Sequence, residues 1–230
     1  CFEGCSSLKQ IELPSKLITI GEYTFKKCSS LESIQIPSFV LIIGRNCFEG
    51  CSSLSQIEFP PYLSEINEYV FKDCSFLKQF SIPSSVTLIK YGVFSGCINL
   101  VKVSIPSSIQ EIEDNIFSGC KSLKKISIPS SISKISDYMF FNCSSLSEIK
   151  FLSPNIEIGD FTFFNCSSLS KISSTLVTKV GDFAFNGCTL LKLSELQTEK
   201  IELEPKKISR KQTENENIKK ENNEKEQNNA

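Results

Sequence analysis

Apolar residues recur along this chain with a fixed spacing of 23 positions. Phenylalanine stands at every twenty-third residue from Phe2 to Phe163, and Phe185 follows after 22. A cysteine comes three residues after each phenylalanine, and a leucine comes three residues after each of those cysteines. Nine consecutive matches at one phase identify an internal repeat, which is typical of proteins built from stacked, equivalent coils.

Within each unit, a short alternating run precedes a return segment. Ile34 and Ile36 alternate with polar neighbours, which is the period of a half-buried strand. Pro37 follows at once and predicts the end of that strand, because proline cannot donate a ladder hydrogen bond. The same proline occurs in six units: Pro14, Pro37, Pro60, Pro83, Pro106 and Pro129. A second apolar pair, such as Val86 and Ile89, predicts a second short extended segment, and the stretch after it predicts a tight turn or one turn of 3₁₀ helix.

The residue before each repeat cysteine predicts a corner in every coil. It is glycine, asparagine or aspartate in eight of nine units. These residues tolerate the left-handed backbone that a tight corner requires. Lys27 occupies the position in the remaining unit, where it is expected to adopt a positive φ and to carry local strain.

The repeat predicts a strand-dominated solenoid. A single unit of 23 residues buries too little apolar surface to fold alone, so neighbouring coils must stack and share strand hydrogen bonds. We expect right-handed stacked coils with a parallel β-sheet and short turns or 3₁₀ segments over residues 1–193, in nine units of which the first is incomplete. Residues 194–230 are rich in Asn, Lys and Glu and predict a charged, disordered tail.

The repeated string resembles the BspA-like leucine-rich repeats. It reads Phe-x-x-Cys-x-x-Leu-x-x-Ile-x-Ile-Pro-x-x-Val/Ile-x-x-Ile and extends over about residues 1–192. The resemblance implies an α/β leucine-rich-repeat solenoid. This family is common in surface proteins of oral bacteria and in parasitic protists. It therefore implies a surface-antigen-like protein that is displayed at the cell surface or secreted, with a role in adhesion and protein binding.

The phenylalanine and cysteine columns predict structural side chains. Free cysteine behaves as a small, buried hydrophobe, and stacked aromatic rings fill the curved edge of a solenoid. Disulfides between adjacent coils, a metal site and an aromatic ligand-binding stripe are the alternatives. The structural residues are Phe25, Phe48, Phe71, Phe94, Phe117, Phe140, Phe163, Cys28, Cys51, Cys74, Cys97, Cys120, Cys143 and Cys166.

The polar residues of the predicted strand point away from the core and form a candidate binding face. If the isoleucines of each strand face inward, the residues between them face solvent. Acidic residues are confined to the first half of this face, apart from Glu148, and lysines to the second half. The alternative is a solvated surface without a partner. The candidate residues are Gln10, Glu12, Gln35, Gln56, Glu58, Gln79, Lys102, Lys125, Lys150 and Lys171.

The composition of the chain favours a binding function over catalysis. The chain has no histidine, the commonest general base and metal ligand, and no glycine-rich phosphate loop. We therefore expect no enzyme activity, no catalytic residues, no cofactor and no metal. The net charge of −1 gives no general attraction to nucleic acid, and no apolar run is long enough for membrane insertion. The expected partner is a protein or a glycan. An intracellular, cytoplasmic scaffold or regulatory protein is the alternative function.

Overall fold

A computed structural model of the chain describes residues 2–173 and 176–192. These residues form a parallel β-solenoid, which confirms the predicted stacking of the repeat units. Each coil has three sides: a first sheet, a second sheet and a side made of turns. The predicted tail of residues 194–230 lies outside the described residues.

The first sheet contains the strands predicted from the alternating isoleucines. Its strands pair in parallel and in register, so that Ile34 lies opposite Ile57 and Phe80 opposite Val103, 23 residues apart. The hydrogen-bonded groups are β2–β4, β6–β8 and β10–β12–β14. The strands are β2 (Ser33–Gln35), β4 (Gln56–Glu58), β6 (Gln79–Ser81), β8 (Lys102–Ser104), β10 (Lys125–Ile128), β12 (Glu148–Phe151) and β14 (Lys171–Ser173).

The second sheet is built by the apolar pairs that follow the proline. These strands are also parallel, in the groups β1–β3, β5–β7–β9 and β11–β13–β15. The predicted second extended segment is thus a second ladder along the solenoid. The strands are β1 (Thr19–Ile20), β3 (Ile42–Ile43), β5 (Glu65–Ile66), β7 (Leu88–Ile89), β9 (Glu111–Ile112), β11 (Lys134–Ile135), β13 (Asn155–Ile158) and β15 (Leu176–Val180).

The third side consists of consecutive turns. In the coil of Phe25, the Cys28 N–H donates to the Phe25 carbonyl at 3.0 Å, and the Leu31 N–H donates to the Cys28 carbonyl at 3.0 Å. The described residues contain no α-helix and no 3₁₀ helix, so the helical part of the α/β class is absent from them. A left-handed residue between Phe25 and Cys28 explains this, because Lys27 has a φ of 59° and cannot continue a right-handed helix.

Two residues per coil adopt the left-handed conformation, and the sequence predicted one of them. The column that includes Lys27 and Gly96 has φ values from 58° to 83°, as its glycines and asparagines indicate. A second column lies four residues earlier in each coil and includes Tyr23 at 57° and Asn115 at 62°. Its large aromatic residues concealed it, although Asn46, Gly92 and Asn115 at the same phase carry the expected signal.

The core is organised around a stack of phenylalanine rings. Rings in adjacent coils are nearly parallel along most of the stack, and their centroids are 5.5–5.8 Å apart from Phe2 to Phe185. Every member from Phe25 to Phe185 is fully buried, whereas Phe2 in the first coil is 36% exposed. The stack therefore forms a continuous apolar spine directly under the turns.

The 22-residue unit departs from the regular spacing in two steps. Partners are 23 residues apart in the β12–β14 pair but 21 apart where β13 and β15 begin to pair. Asn155 pairs with Leu176 and Ile156 with Val177, but Glu157 pairs with Lys179, so the register shifts inside the β13–β15 pair. The turn side keeps its spacing despite the lost residue, because Phe163 and Phe185 still stack at 5.5 Å. The change in length is thus absorbed away from the aromatic spine.

Candidate binding face

All ten residues of the candidate face are exposed. Eight of them lie on strands of the first sheet, at positions that alternate with buried apolar residues. Gln10 and Glu12 differ, because residues 9–13 form no strand. The Glu32 N–H donates to the Lys9 carbonyl at 3.1 Å, so this segment still lies beside the first sheet.

The strand register arranges these residues in two columns. In the column that begins at Ser33, Lys125 lies opposite Glu148, and Glu148 opposite Lys171. In the other column, Gln35 lies opposite Glu58, and Ser127 lies opposite Lys150. Lys150 is therefore one column away from the other three lysines.

Three adjoining depressions follow the first sheet. The first is lined by residues of β2 and β4, the second by residues of β4, β6 and β8, and the third by residues of β8, β10 and β12. Their volumes are about 410, 600 and 520 Å³. Gln56 and Glu58 line both the first and the second depression, and Lys102 lines both the second and the third. Together they make one open trough along the first sheet from β2 to β12, with a lining of both polar and apolar residues.

Glu148 forms ion pairs with two of the four lysines on the second half of the candidate face. Its carboxylate is 2.8 Å from Lys125 Nζ and 3.0 Å from Lys171 Nζ. Hydrogen bonds from Lys125 and Lys171, together with their charges, lower the pKa of the Glu148 carboxyl to about 2. Among the described residues, Lys102 and Lys150 have no carboxylate within ion-pairing distance. Four lysines and one glutamate leave this part of the face with a formal charge of +3.

The cysteine column makes hydrogen bonds that the sequence did not reveal. Each thiol from Cys28 to Cys166 lies 3.0–3.2 Å from the carbonyl oxygen of the phenylalanine 26 residues earlier, in the preceding coil. All seven are fully buried and none is in a disulfide. Burial raises the pKa of the Cys51 thiol to about 12 and that of Cys74 well above its usual value. The column thus fastens successive coils together through protonated thiols.

The phenylalanine column is not accessible to a ligand. Seven phenylalanines have no exposed surface: Phe25, Phe48, Phe71, Phe94, Phe117, Phe140 and Phe163.

Within residues 2–173 and 176–192, no group of three or more Cys, Asp or Glu side chains is arranged to hold a metal ion. In the same residues, no helix has the length and apolar character needed to cross a membrane.

The fold and the repeated Phe, Cys and Leu columns define the class of protein. Parallel coils with one leucine per turn, closed over a buried aromatic stack, are those of a leucine-rich-repeat solenoid. The family described as BspA type leucine rich repeat region matches residues 1–124 and 64–192, in six copies. The chain belongs to this family, which confirms the resemblance found in the repeat.

Solved structures of bacterial proteins share the fold. A leucine-rich-repeat protein of T. pallidum is 26% identical, with a TM-score of 0.62, and the match covers 83% of this chain and 85% of that one. A leucine rich cell surface protein of Faecalibacterium prausnitzii is also 26% identical, with a TM-score of 0.66. That match covers 80% of this chain but only 60% of the longer protein. The curated proteins contained no match.

Proposed function

We propose that the chain is a non-catalytic binding module that recognises an acidic protein segment along the trough of the first sheet. The observation that carries this proposal is the trough along the first sheet together with the excess of lysine on the face of β8, β10, β12 and β14, where four lysines and Glu148 give a formal charge of +3. Sites for small molecules are enclosed and predominantly apolar, whereas this trough is open and combines Gln, Ser, Lys and Glu side chains with apolar ones such as Phe59 and Ile105. An extended peptide with acidic residues complements it in shape and in charge.

The pattern of ion pairs supports recognition by charge. Lys102 lies on β8, the strand before that of Lys125, and Lys150 lies two residues after Glu148 on β12; both lysines are exposed to solvent. A carboxylate of a partner can approach them without breaking an existing contact. Electrostatic complementarity of this kind increases the association rate and selects between partners more than it increases affinity.

Display at a cell surface is the setting we propose for this module. The solved protein of F. prausnitzii, 26% identical to this chain, is described as a cell surface protein. Exposure to host or neighbouring cells would give the trough an adhesive role. Immunolabelling and protease treatment of intact cells test this location, because a displayed chain is labelled and cleaved, whereas an internal chain is protected from both.

A second candidate is an intracellular scaffold, and the cysteines favour it. The seven thiols from Cys28 to Cys166 are unbridged, and disulfides are more typical of proteins in oxidising compartments. The same experiment on intact cells separates the two settings.

The binding test uses a fourfold substitution on the trough and a matched one elsewhere. The trough variant carries Lys102→Ser, Lys125→Ser, Lys150→Ser and Lys171→Ser. The control variant carries Lys16→Ser, Lys121→Ser, Lys134→Ser and Lys179→Ser, which are exposed lysines outside the trough. Both variants change the net charge by the same amount, so the control removes any general effect of charge.

Binding to immobilised poly-glutamate and to heparin is measured over a range of salt concentrations. Exposed ion pairs contribute roughly 0.2–1 kcal/mol each, so losing the four lysines should weaken poly-glutamate binding roughly tenfold. The salt dependence should decrease with it, while the control variant binds like the parent. Equal binding by all three proteins would refute the trough as the site. A loss confined to heparin would identify a sulfated glycan rather than an acidic protein as its ligand.

A further inference from the structure

A group of exposed apolar side chains lies at the first coils of the second sheet. Its five members form what we call the apolar patch: Ile18, Phe39, Leu41, Ile42 and Tyr62, with exposures of 58%, 63%, 48%, 51% and 63%. The Leu41 N–H donates to the Ile18 carbonyl at 2.8 Å, so these two residues are neighbours in adjacent coils. Phe39 and Tyr62 are one repeat apart at the corner between the two sheets. The patch is therefore continuous across three coils.

The later coils show that the fold does not require apolar residues at these positions. The column of Phe39 and Tyr62 continues with Ser85, Ser108 and Ser131. The column of Ile18 and Leu41 continues with Ser64, Thr87, Gln110 and Ser133. The column of Ile42 continues with Glu65, Leu88, Glu111 and Lys134. These coils keep the same strands and turns with polar residues at all of these positions except Leu88, so folding does not require the apolar side chains of the patch.

Two cations beside the patch, Arg45 and Lys90, are paired with carboxylates of the chain. Arg45 Nε is 2.9 Å from a carboxylate oxygen of Glu22, and Lys90 Nζ is 3.0 Å from one of Glu65. Lys16 lies one repeat before Phe39, at the margin, where a lysine can keep its ammonium group in water. A neutral apolar centre whose margin holds two ion pairs and the single lysine Lys16 suits another neutral apolar surface. It does not suit a nucleic acid or an anionic membrane, both of which require a cluster of unpaired positive charges.

The size of the patch agrees with one half of a stable protein interface. Large side chains that are about half exposed present roughly 100 Å² each, or roughly 500 Å² for all five. A standard interface buries about 800 Å² per partner, of which about 60% is apolar, which is also roughly 500 Å². The patch thus supplies the apolar surface that such a contact needs.

We propose that the apolar patch is the surface through which two copies of this chain associate. The pairing is a twofold one, in which the patch of one copy covers the same patch of the other. A neutral apolar surface is complementary to itself, because facing its own copy brings no like charges together. The part of the trough on β8, β10 and β12 lies on another side of the coil, in later coils than the patch, and remains open in both copies, so the dimer presents two such faces and gains avidity toward a multivalent partner.

The test is the mass of the purified 230-residue chain in solution, measured by light scattering and sedimentation over a range of micromolar concentrations. The patch variant carries Phe39→Ser, Leu41→Ser and Tyr62→Ser, which lie in two columns, and serine occupies both of these columns in later coils. The control variant carries Phe76→Ser, Ile98→Ser and Val101→Ser, which are 57%, 41% and 44% exposed outside the patch. We expect the parent and the control to be dimers and the patch variant to be a monomer with an unchanged circular dichroism spectrum.

A single substitution keeps the proposal testable if the threefold variant does not fold. Ile42→Lys introduces the residue that occupies the same column at Lys134, so the coil accommodates it. It places like charges in a twofold contact and should raise the dimer dissociation constant at least about tenfold, an effect that salt reduces. A parent chain that is monomeric at every concentration would overturn the proposal. A dimer that persists in both the patch variant and Ile42→Lys would overturn it as well.

Discussion

Lys27→Gly should stabilise the solenoid, because Lys27 is a non-glycine residue in the left-handed conformation at φ 59°. Such a residue costs roughly 1–2 kcal/mol, whereas glycine adopts the conformation freely but loses roughly 0.5–1 kcal/mol more chain entropy on folding. The net gain is about 0.5–1 kcal/mol. For a solenoid of this length, the melting temperature should rise by about 1–4 °C.

The reverse substitution provides a matched test at an equivalent corner. Gly119 has a φ of 75°, and an added Cβ would be no closer than 3.7 Å to any atom of the neighbouring coil. Gly119→Ala therefore isolates the backbone strain from any steric clash, and it should destabilise by about 0.5–1 kcal/mol.

Lys27→Ala is the control for the side chain, since it keeps the strained backbone and removes only the exposed part of lysine. It should be close to neutral. Thermal and urea unfolding of the three variants against the parent measures the effects. If Lys27→Gly and Lys27→Ala change the stability equally, the gain comes from the lysine side chain and the strain argument is wrong.

Three other features of the molecule are open to direct measurement. The Glu148 carboxyl, with its pKa of about 2, should stabilise the fold fully above its unfolded pKa of about 4.3 and lose that contribution as the pH falls toward 2; an NMR titration midpoint near 4.3 would contradict the lysine pairing. The buried thiols from Cys28 to Cys166 should label slowly in the native chain and completely after denaturation without reductant, and rapid native labelling would show that the column is accessible. Gly44→Ala should cost about 1–3 kcal/mol, because the added Cβ would be 2.7 Å from the Cα of Glu22 in the preceding coil; a loss in urea unfolding smaller than that of Gly119→Ala would argue against this close packing.

The repeat made the fold predictable. A residue preference that is weak at one position becomes a clear indication when it recurs at the same position of nine units. The strand around Ile34, the proline that ends it and the corner at Lys27 each follow from a preference that recurs at the same phase. The absence of a 3₁₀ helix from the turn side was not predictable in the same way. A second left-handed residue at Tyr23 interrupts the segment, and aromatic residues give little indication of a positive φ.

The candidate face was predictable as a surface but not in its interactions. Strand alternation alone places Lys102 and Lys150 in solvent. Whether Glu148 neutralises Lys125 and Lys171 depends on side-chain distances of about 3 Å, which alternation does not determine. The thiol hydrogen bonds were hidden for the same reason, since they depend on how one coil sits over the next. The binding role of the face stays a prediction.

The register shift in the last described coil indicates where a gene of this kind can gain or lose codons without disrupting the fold. The unit is one residue shorter than the others, yet the phenylalanine stack keeps its spacing, because the offset between partners falls from 23 to 21 between the two sheets and returns to 22 within the second sheet. Each coil contacts only its neighbours, so unequal recombination that adds or removes a whole unit would rejoin equivalent surfaces. Every added unit would lengthen the array by about 4.8 Å. Small insertions and deletions should then accumulate between the two sheets, while the turn side keeps its count.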